Sequence, residues 1–322
     1  MSASTNSTRT TSRSAASARD VGVVHPFLVD VDCAGNPEPT AHLRAVARAL
    51  EPDLLVGWVD DSAAAGAPDL FAAHYSLLDQ DVVLRARAPD ELPGAPGDDP
   101  PPRIPRPPEQ VAAEVRARLA ERAARVPLLG LVLAGGRSER MGRPKWAIEY
   151  HGAPQVRVLH ELLSRFCEGT YVSIREEQLA EPVLAGLPHV VDAFRGFGPL
   201  GGILTAMNGR RDAAWLVLAC DLPGVTAATV ERLLAARAPF RFATAYRSSS
   251  DGLPEPLVAV YEPKARLRLF QTAGMGYDCP RKMLINSRCE VVDGADAVEL
   301  ANVNSPDDYA LAVARLKPGG AA

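Results

Sequence analysis

A chain of 322 residues with 47% apolar side chains can build one medium and one small domain, each with its own core. A formal net charge of −4 gives no broad positive field, which argues against nucleic acid or anionic membrane surfaces as partners. No apolar run nears the roughly 18 residues of a membrane span, and five scattered cysteines without a CxxC pair suit free thiols in the cytoplasm.

Residues 1–20 are rich in Ser, Thr, Ala and Arg and lack the apolar core of a secretory signal. They read as a disordered tail, with an organellar transit peptide as the alternative. Residues 21–86 read as a small α/β domain: strand 27–32, helix 42–50, strand 53–61 and strand 81–86. No G-x-x-x-x-G-K-[ST] is present there, so it is not a working P-loop. Asp30, Asp32, Asp60 and Asp61 fall at strand ends, either as metal ligands or as solvated turn residues. The role of this domain stays open.

Dense proline over 87–109 removes backbone donors and favours an extended, solvated linker. A helix is expected over 110–125, with Val111, Val115 and Leu119 on one face. From there to 318 strands and helices alternate. Strands are expected at 128–134, 170–174, 189–194, 215–221, 241–246 and 256–262, and helices at 155–166, 199–209 and 227–238. Strands joined through helices imply a doubly wound, mainly parallel, Rossmann-like α/β sheet. Ligands of such sheets sit beyond the carboxyl ends of the strands, near the switch in strand order.

Three motifs fall at those ends. In LAGGRSERMGRPK (133–145) an apolar strand meets Gly135–Gly136, whose backbone can turn tightly and approach a ligand. Inward N–H groups of such a turn form an anion nest, and Arg137, Arg140 and Lys145 add full charges. The chain has only four lysines against 31 arginines, so a lysine at 145 points to a specific requirement. In WLVLACDLP (215–223) a buried strand delivers Asp221, either as a Mg²⁺ ligand or as a cap for the next helix; Cys220 beside it faces the core. In VVDAFRGFGPLGG (190–202) Asp192 precedes a glycine-rich turn. Gly196, Gly198 and Gly201 also spell G-x-G-x-x-G, so a dinucleotide-binding site stays open as a rival.

The first loop, through Leu133, Ala134, Gly135, Gly136, Ser138, Arg140, Met141, Gly142 and Lys145, resembles the signature of nucleotidyltransferases similar to molybdenum cofactor guanylyltransferase. The GPLGG segment (198–202) and ANVNSPDDY (301–309) are similar to further family motifs, with Gly201 where the family usually has alanine. The resemblance runs from about residue 127 to the C-terminus and implies transfer of GMP from GTP to molybdopterin with Mg²⁺, releasing pyrophosphate. It implies that Leu133–Gly136 and Lys145 hold the triphosphate, and that Lys145, Arg140 and Asp221 carry catalysis. It implies that Ser173, Asp192 and Gly198 sit at the nucleoside, and that Asp221 with Asn304 holds the metal. It assigns Arg281, Lys282 and Asn302 to the acceptor. The paired glycines at 135–136 and the GPL-x-G segment favour guanine over cytosine among the family's relatives. Implied partners are molybdoenzymes or other cofactor-biosynthesis proteins. A sugar-phosphate nucleotidyltransferase and a non-catalytic cofactor-delivery adaptor are the further alternatives.

Overall fold

The computed structural model describes residues 11–12, 27–33, 36, 38–50, 54–60, 79–87, 106–136 and 144–316. Arg140, Asp61, most of the tail and most of the proline linker lie outside the described residues. The chain divides into two compact units, Met1–Arg125 and Val126–Ala322.

The first unit holds β1 (Thr11–Ser12), β2 (Leu28–Asp32), α1 (Pro39–Leu50), β3 (Val56–Asp60), β4 (Val82–Arg87) and α2 (Pro108–Ala124). The strands form a parallel sheet in the order β1-β3-β4-β2. Helix α1 buries Leu43, Val46, Ala47 and Leu50, a stripe at helical spacing. Helix α2 buries Val111, Ala112, Val115 and Leu119 and packs on α1, with the Arg116 guanidinium donating to the Ala49 carbonyl at 2.8 Å. The sequence reading placed this helix with the downstream domain; the structure places it in the first unit. Its apolar stripe finds its partner on α1, a pairing that helical periodicity alone does not specify.

The second unit comprises β5 (Leu128–Leu133), α3 (Gln155–Ser164), β6 (Gly169–Ile174), β7 (His189–Val191), α4 (Gly198–Gly209), β8 (Ala214–Ala219), α5 (Ala227–Ala235), β9 (Ala243–Arg247), β10 (Pro254–Tyr261), α6 (Ala265–Gly274), α7 (Pro280–Ile285), β11 (Glu290–Val292) and α8 (Pro306–Leu316). Among the described residues its sheet has seven strands in the order β11-β9-β10-β8-β5-β6-β7. All neighbours are parallel except β10, which runs antiparallel to both β8 and β9. The doubly wound, mainly parallel α/β fold is therefore present. Strand β8 is buried at all six positions, as expected of a central strand covered on both faces, and its sequence AWLVLA is correspondingly apolar throughout. Helix α3 sends Val156, Leu159 and Leu163 into the same core as β5, β6 and β8.

The expected elements differ in detail. The strand expected over 189–194 stops at Val191, and the one expected over 215–221 stops at Ala219, which leaves Asp221 in the turn beyond it. Strand β11 and helix α6 carried no signal in the sequence reading.

Candidate active site

Strands β7, β6, β5 and β8 lie side by side and run the same way, so their carboxyl ends share one edge. The chain starts at β5 and builds outward on both sides, which puts the switch in strand order between β5 and β8. A cleft of about 720 Å³ opens along this edge. Its wall includes Leu133, Ala134, Gly135 and Gly136 after β5, Ser173 and Arg175 at the end of β6, and Asp192 after β7. Asp221, Lys145, Gly198 and Asn304 complete the expected residues that line it.

At the β8 end one cation gathers two oxygens. The Lys145 ammonium donates to Asp221 Oδ2 at 3.2 Å and to Asn304 Oδ1 at 2.5 Å. Local folding explains the convergence. Pro144 leads into a single helical turn at Lys145–Ala147, whose Trp146 is buried in the core and aims the turn. The Val303 amide donates to the Asp221 carbonyl at 2.8 Å, which ties residues 301–305 to the tip of β8. Ser305 and Asp308 then exchange bonds across the first turn of α8, and Asp308 also accepts from the Asn304 amide at 2.9 Å. The Ser-Pro-Asp-Asp run thus does act as a helix cap, and that cap fixes the backbone from which Asn304 reaches Lys145.

The second carboxylate oxygen of Asp221, Oδ1, is shielded from solvent and has no hydrogen-bond partner. A buried acceptor of this kind is costly unless a ligand completes it. Asn304 Oδ1 meets the same ammonium as Asp221 Oδ2, so both residues offer oxygen only, which suits a hard divalent cation bound through one carboxylate and substrate phosphates.

At the β6–β7 end the Ser173 hydroxyl donates to Asp192 Oδ1 at 2.6 Å. Burial pushes the Asp192 carboxyl above the usual carboxylate range, opposed by that hydroxyl and by the charge of Arg175. A Cβ on Gly135 would stand 2.8 Å from Asp192 Oδ2, so a larger residue there requires this carboxylate to shift. Gln178 is buried and fastens the two strand ends. Its Nε2 donates to the Ala134 carbonyl at 3.0 Å and its Oε1 accepts from the Arg175 amide at 2.8 Å.

Not every expected residue is brought together. Arg281 is held by Asp251 at 2.7 Å and by the buried Glu255 at 2.9 Å, while the Lys282 ammonium lies 5.7 Å from the centre of the Tyr277 ring. Neither lines the cleft, and Asn302 borders a separate small pocket under α8. Cys220 lies in the core, where burial raises its thiol far above the ordinary range. The G-x-G-x-x-G run follows β7, an edge strand among the described residues, rather than the switch point. Its third glycine lies inside α4, with no room for a Cβ against the Phe194 carbonyl. Arg175 and Gln178 were missed in the sequence. Arg175 could have been found as a charged residue just past a parallel strand, whereas the two partners of Gln178 meet only in three dimensions.

A sequence profile of the MobA-like NTP transferase domain matches residues 130–287, which carry β5–β10 and most of the cleft wall. The chain is 34% identical over 183 residues to a molybdenum cofactor guanylyltransferase of Pseudomonas aeruginosa, covering 55% of this chain and 90% of that protein. It is 40% identical over 184 residues to a molybdenum cofactor biosynthesis bifunctional protein of Synechocystis, where it covers 57% of this chain and spans about half, 53%, of that relative. Molybdopterin-guanine dinucleotide biosynthesis protein A of Archaeoglobus fulgidus superposes with a TM-score of 0.48 at 24% identity, over 57% of this chain and 96% of that one. Matched over nine-tenths of a curated relative, with Gly135, Gly136, Lys145 and Asp221 at one sheet edge, the chain belongs to the MobA-like NTP transferase family of nucleotidyltransferases.

Proposed function

We propose that the second unit transfers GMP from GTP to the phosphate of molybdopterin in the cytoplasm, with Mg²⁺ held by Asp221 and Asn304 and with release of pyrophosphate. The observation that carries the reading is the grouping of the Lys145 ammonium, Asp221 and Asn304 beside the glycine turn at 135–136. The orphaned Asp221 Oδ1 supports the metal. Bound there, Mg²⁺ supplies charge neutralisation at the phosphates.

The protein's own residues do the rest. Leu133–Gly136 wrap the triphosphate, with the backbone amides of Gly135 and Gly136 turned to it while that of Ala134 is held by the Ser173 carbonyl, and Lys145 and Arg140 neutralise charge as the acceptor oxygen displaces pyrophosphate in line from the α-phosphorus. Lys145 in this role exchanges its carboxylate contact for phosphate oxygens, a movement that a flexible ammonium stem permits. An acceptor phosphate is already ionised at neutral pH, so no general base is required. Ser173, Asp192 and Gly198 hold the nucleoside. Similarity to a molybdenum cofactor guanylyltransferase supports a guanylyl donor and a molybdenum-cofactor acceptor. The test is pyrophosphate release over four NTPs, with and without Mg²⁺ and molybdopterin. Dependence on GTP, metal and acceptor together is expected, and release with CTP equal to GTP overturns the assignment of base.

A further inference from the structure

We infer that Arg175 is a nucleobase-reading residue, donating to the acceptor edge of guanine while Asp192 beside it accepts from the base's donor groups. The inference rests on the GTP reading above and deepens it.

Arg175 stands out by what it lacks. Other arginines of this unit are engaged in ion pairs: Arg195 with Glu176, Arg281 with Asp251 and Glu255, and Arg237 with Glu262. The Arg175 side chain lines the cleft, its charge acts on the Asp192 carboxyl, and its Nε is shielded from solvent with no hydrogen-bond partner. Its stem passes the phosphate turn, with Cγ 3.6 Å from where a Cβ on Gly135 would stand. A buried Nε–H with no acceptor loses solvation without return, unless a ligand supplies one.

Position selects which part of the nucleotide that is. Arg175 follows β6, two strands from β8 in the sheet order, and strand spacing makes that about 10 Å from the strand carrying Asp221. The phosphate and metal end is at β8. The β6–β7 end, with Ser173 and Asp192, is where the other half of a nucleotide lies.

Chemistry selects the base. Asp192 Oδ1 is taken by Ser173, and as a carboxylate Asp192 only accepts; Arg175 only donates. The pair therefore fits a base that offers donors and acceptors on adjoining edges. Guanine presents N1–H and N2–H₂ beside O6 and N7, and an arginine fork suits O6 and N7. Adenine places a donor at its six-position, facing Arg175, and cytosine lacks N7.

The test is equilibrium binding of GTP, 7-deaza-GTP, ITP and ATP, with CTP as the pyrimidine control, without acceptor, to the whole chain and to Arg175→Met and Arg175→Lys. The wild type is expected to bind GTP about tenfold or more tighter than 7-deaza-GTP, and to penalise ITP through Asp192. Arg175→Met keeps the stem but is expected to bind GTP and 7-deaza-GTP alike, with the ITP penalty retained. Should Arg175→Met fail to fold, Arg175→Lys decides: it keeps the charge but loses the fork, so discrimination at N7 is expected to fall while affinity for ATP holds. An equal loss for all four nucleotides would make Arg175 a phosphate ligand and overturn the inference, as would undiminished GTP preference in Arg175→Met or Arg175→Lys. A wild type that prefers CTP to GTP shows instead that the underlying GTP reading has failed, and is visible before any variant is made.

Discussion

The ammonium of Lys145 stands 3.2 Å from the Asp221 carboxylate although 76 positions separate them in sequence. The same ammonium also donates to Asn304, which lies 159 positions from Lys145. Such a grouping acts as a unit, and removing its members is expected to be non-additive. Asp221→Asn is expected to lower kcat by about 100-fold or more, and Lys145→Ala to lower kcat more than it raises KM for the nucleotide. The double variant should lose far less than the product of the two. Steady-state kinetics with a melting curve for each variant check this, and full additivity would show that the two residues work independently.

Gln178 is expected to matter through the loop it holds. Gln178→Leu leaves the Ala134 carbonyl and the Arg175 amide without their side-chain partner, at about 1–3 kcal/mol of stability. The nucleotide KM should rise with kcat less affected, because the phosphate turn is displaced rather than dismantled. Gln178→Glu keeps an acceptor for Arg175 but aims an oxygen at the Ala134 carbonyl, so it should fall between wild type and Gln178→Leu only under acidic conditions that protonate it. Denaturant melts and KM values across pH test the ordering.

Asp192 trades stability for binding. Burial raises its pKa in the folded chain above the unfolded value, so the ionised group costs stability at neutral pH and that cost vanishes as falling pH protonates it. Asp192→Asn keeps an acceptor for Ser173 without the charge. It is expected to melt higher than wild type at about pH 7, with the gap shrinking toward about pH 4, while nucleotide affinity drops at both. A gap that widens on acidification would contradict the sign.

A Cβ on Gly201 would run into the Phe194 carbonyl. Gly201→Ala is therefore expected to push α4 from the 192–197 segment and cost about 1–3 kcal/mol. A fall in melting midpoint with a raised nucleotide KM is the expected pair of results. An unchanged midpoint would mean that the backbone around Phe194 yields easily.

The division at Arg125/Val126 predicts a separable second unit. A fragment of residues 126–322 is expected to fold and retain nucleotidyl transfer, whereas one starting at 110 carries α2 without the α1 surface that buries Val111, Val115 and Leu119. The longer fragment should therefore be the more aggregation-prone. Comparing solubility and activity of the two checks the boundary.

Much of this protein is local and was legible in its sequence. Apolar runs such as 128–133 and 214–219 announce strands buried on both faces, and the glycine turn at 135–136 announces a close backbone approach. Ser305 and Asp308 announce a capped helix, and Lys145, Ser173, Asp192, Asp221 and Asn304 were all singled out before their grouping was known. What tertiary structure decided is which of these meet. The order β8-β5-β6-β7 brings Lys145 to Asp221, sets the charge of Arg175 against Asp192, and sets Gln178 across two strand ends. It also ties Arg281 to Glu255 and Asp251, outside the cleft, and hands α2 to the first unit. Sequence periodicity fixes which face of an element is apolar, because that depends on neighbours three or four residues away. Which surface covers that face, and which distant charge meets which, depends on sheet order and packing across dozens of residues, and no local pattern encodes those distances.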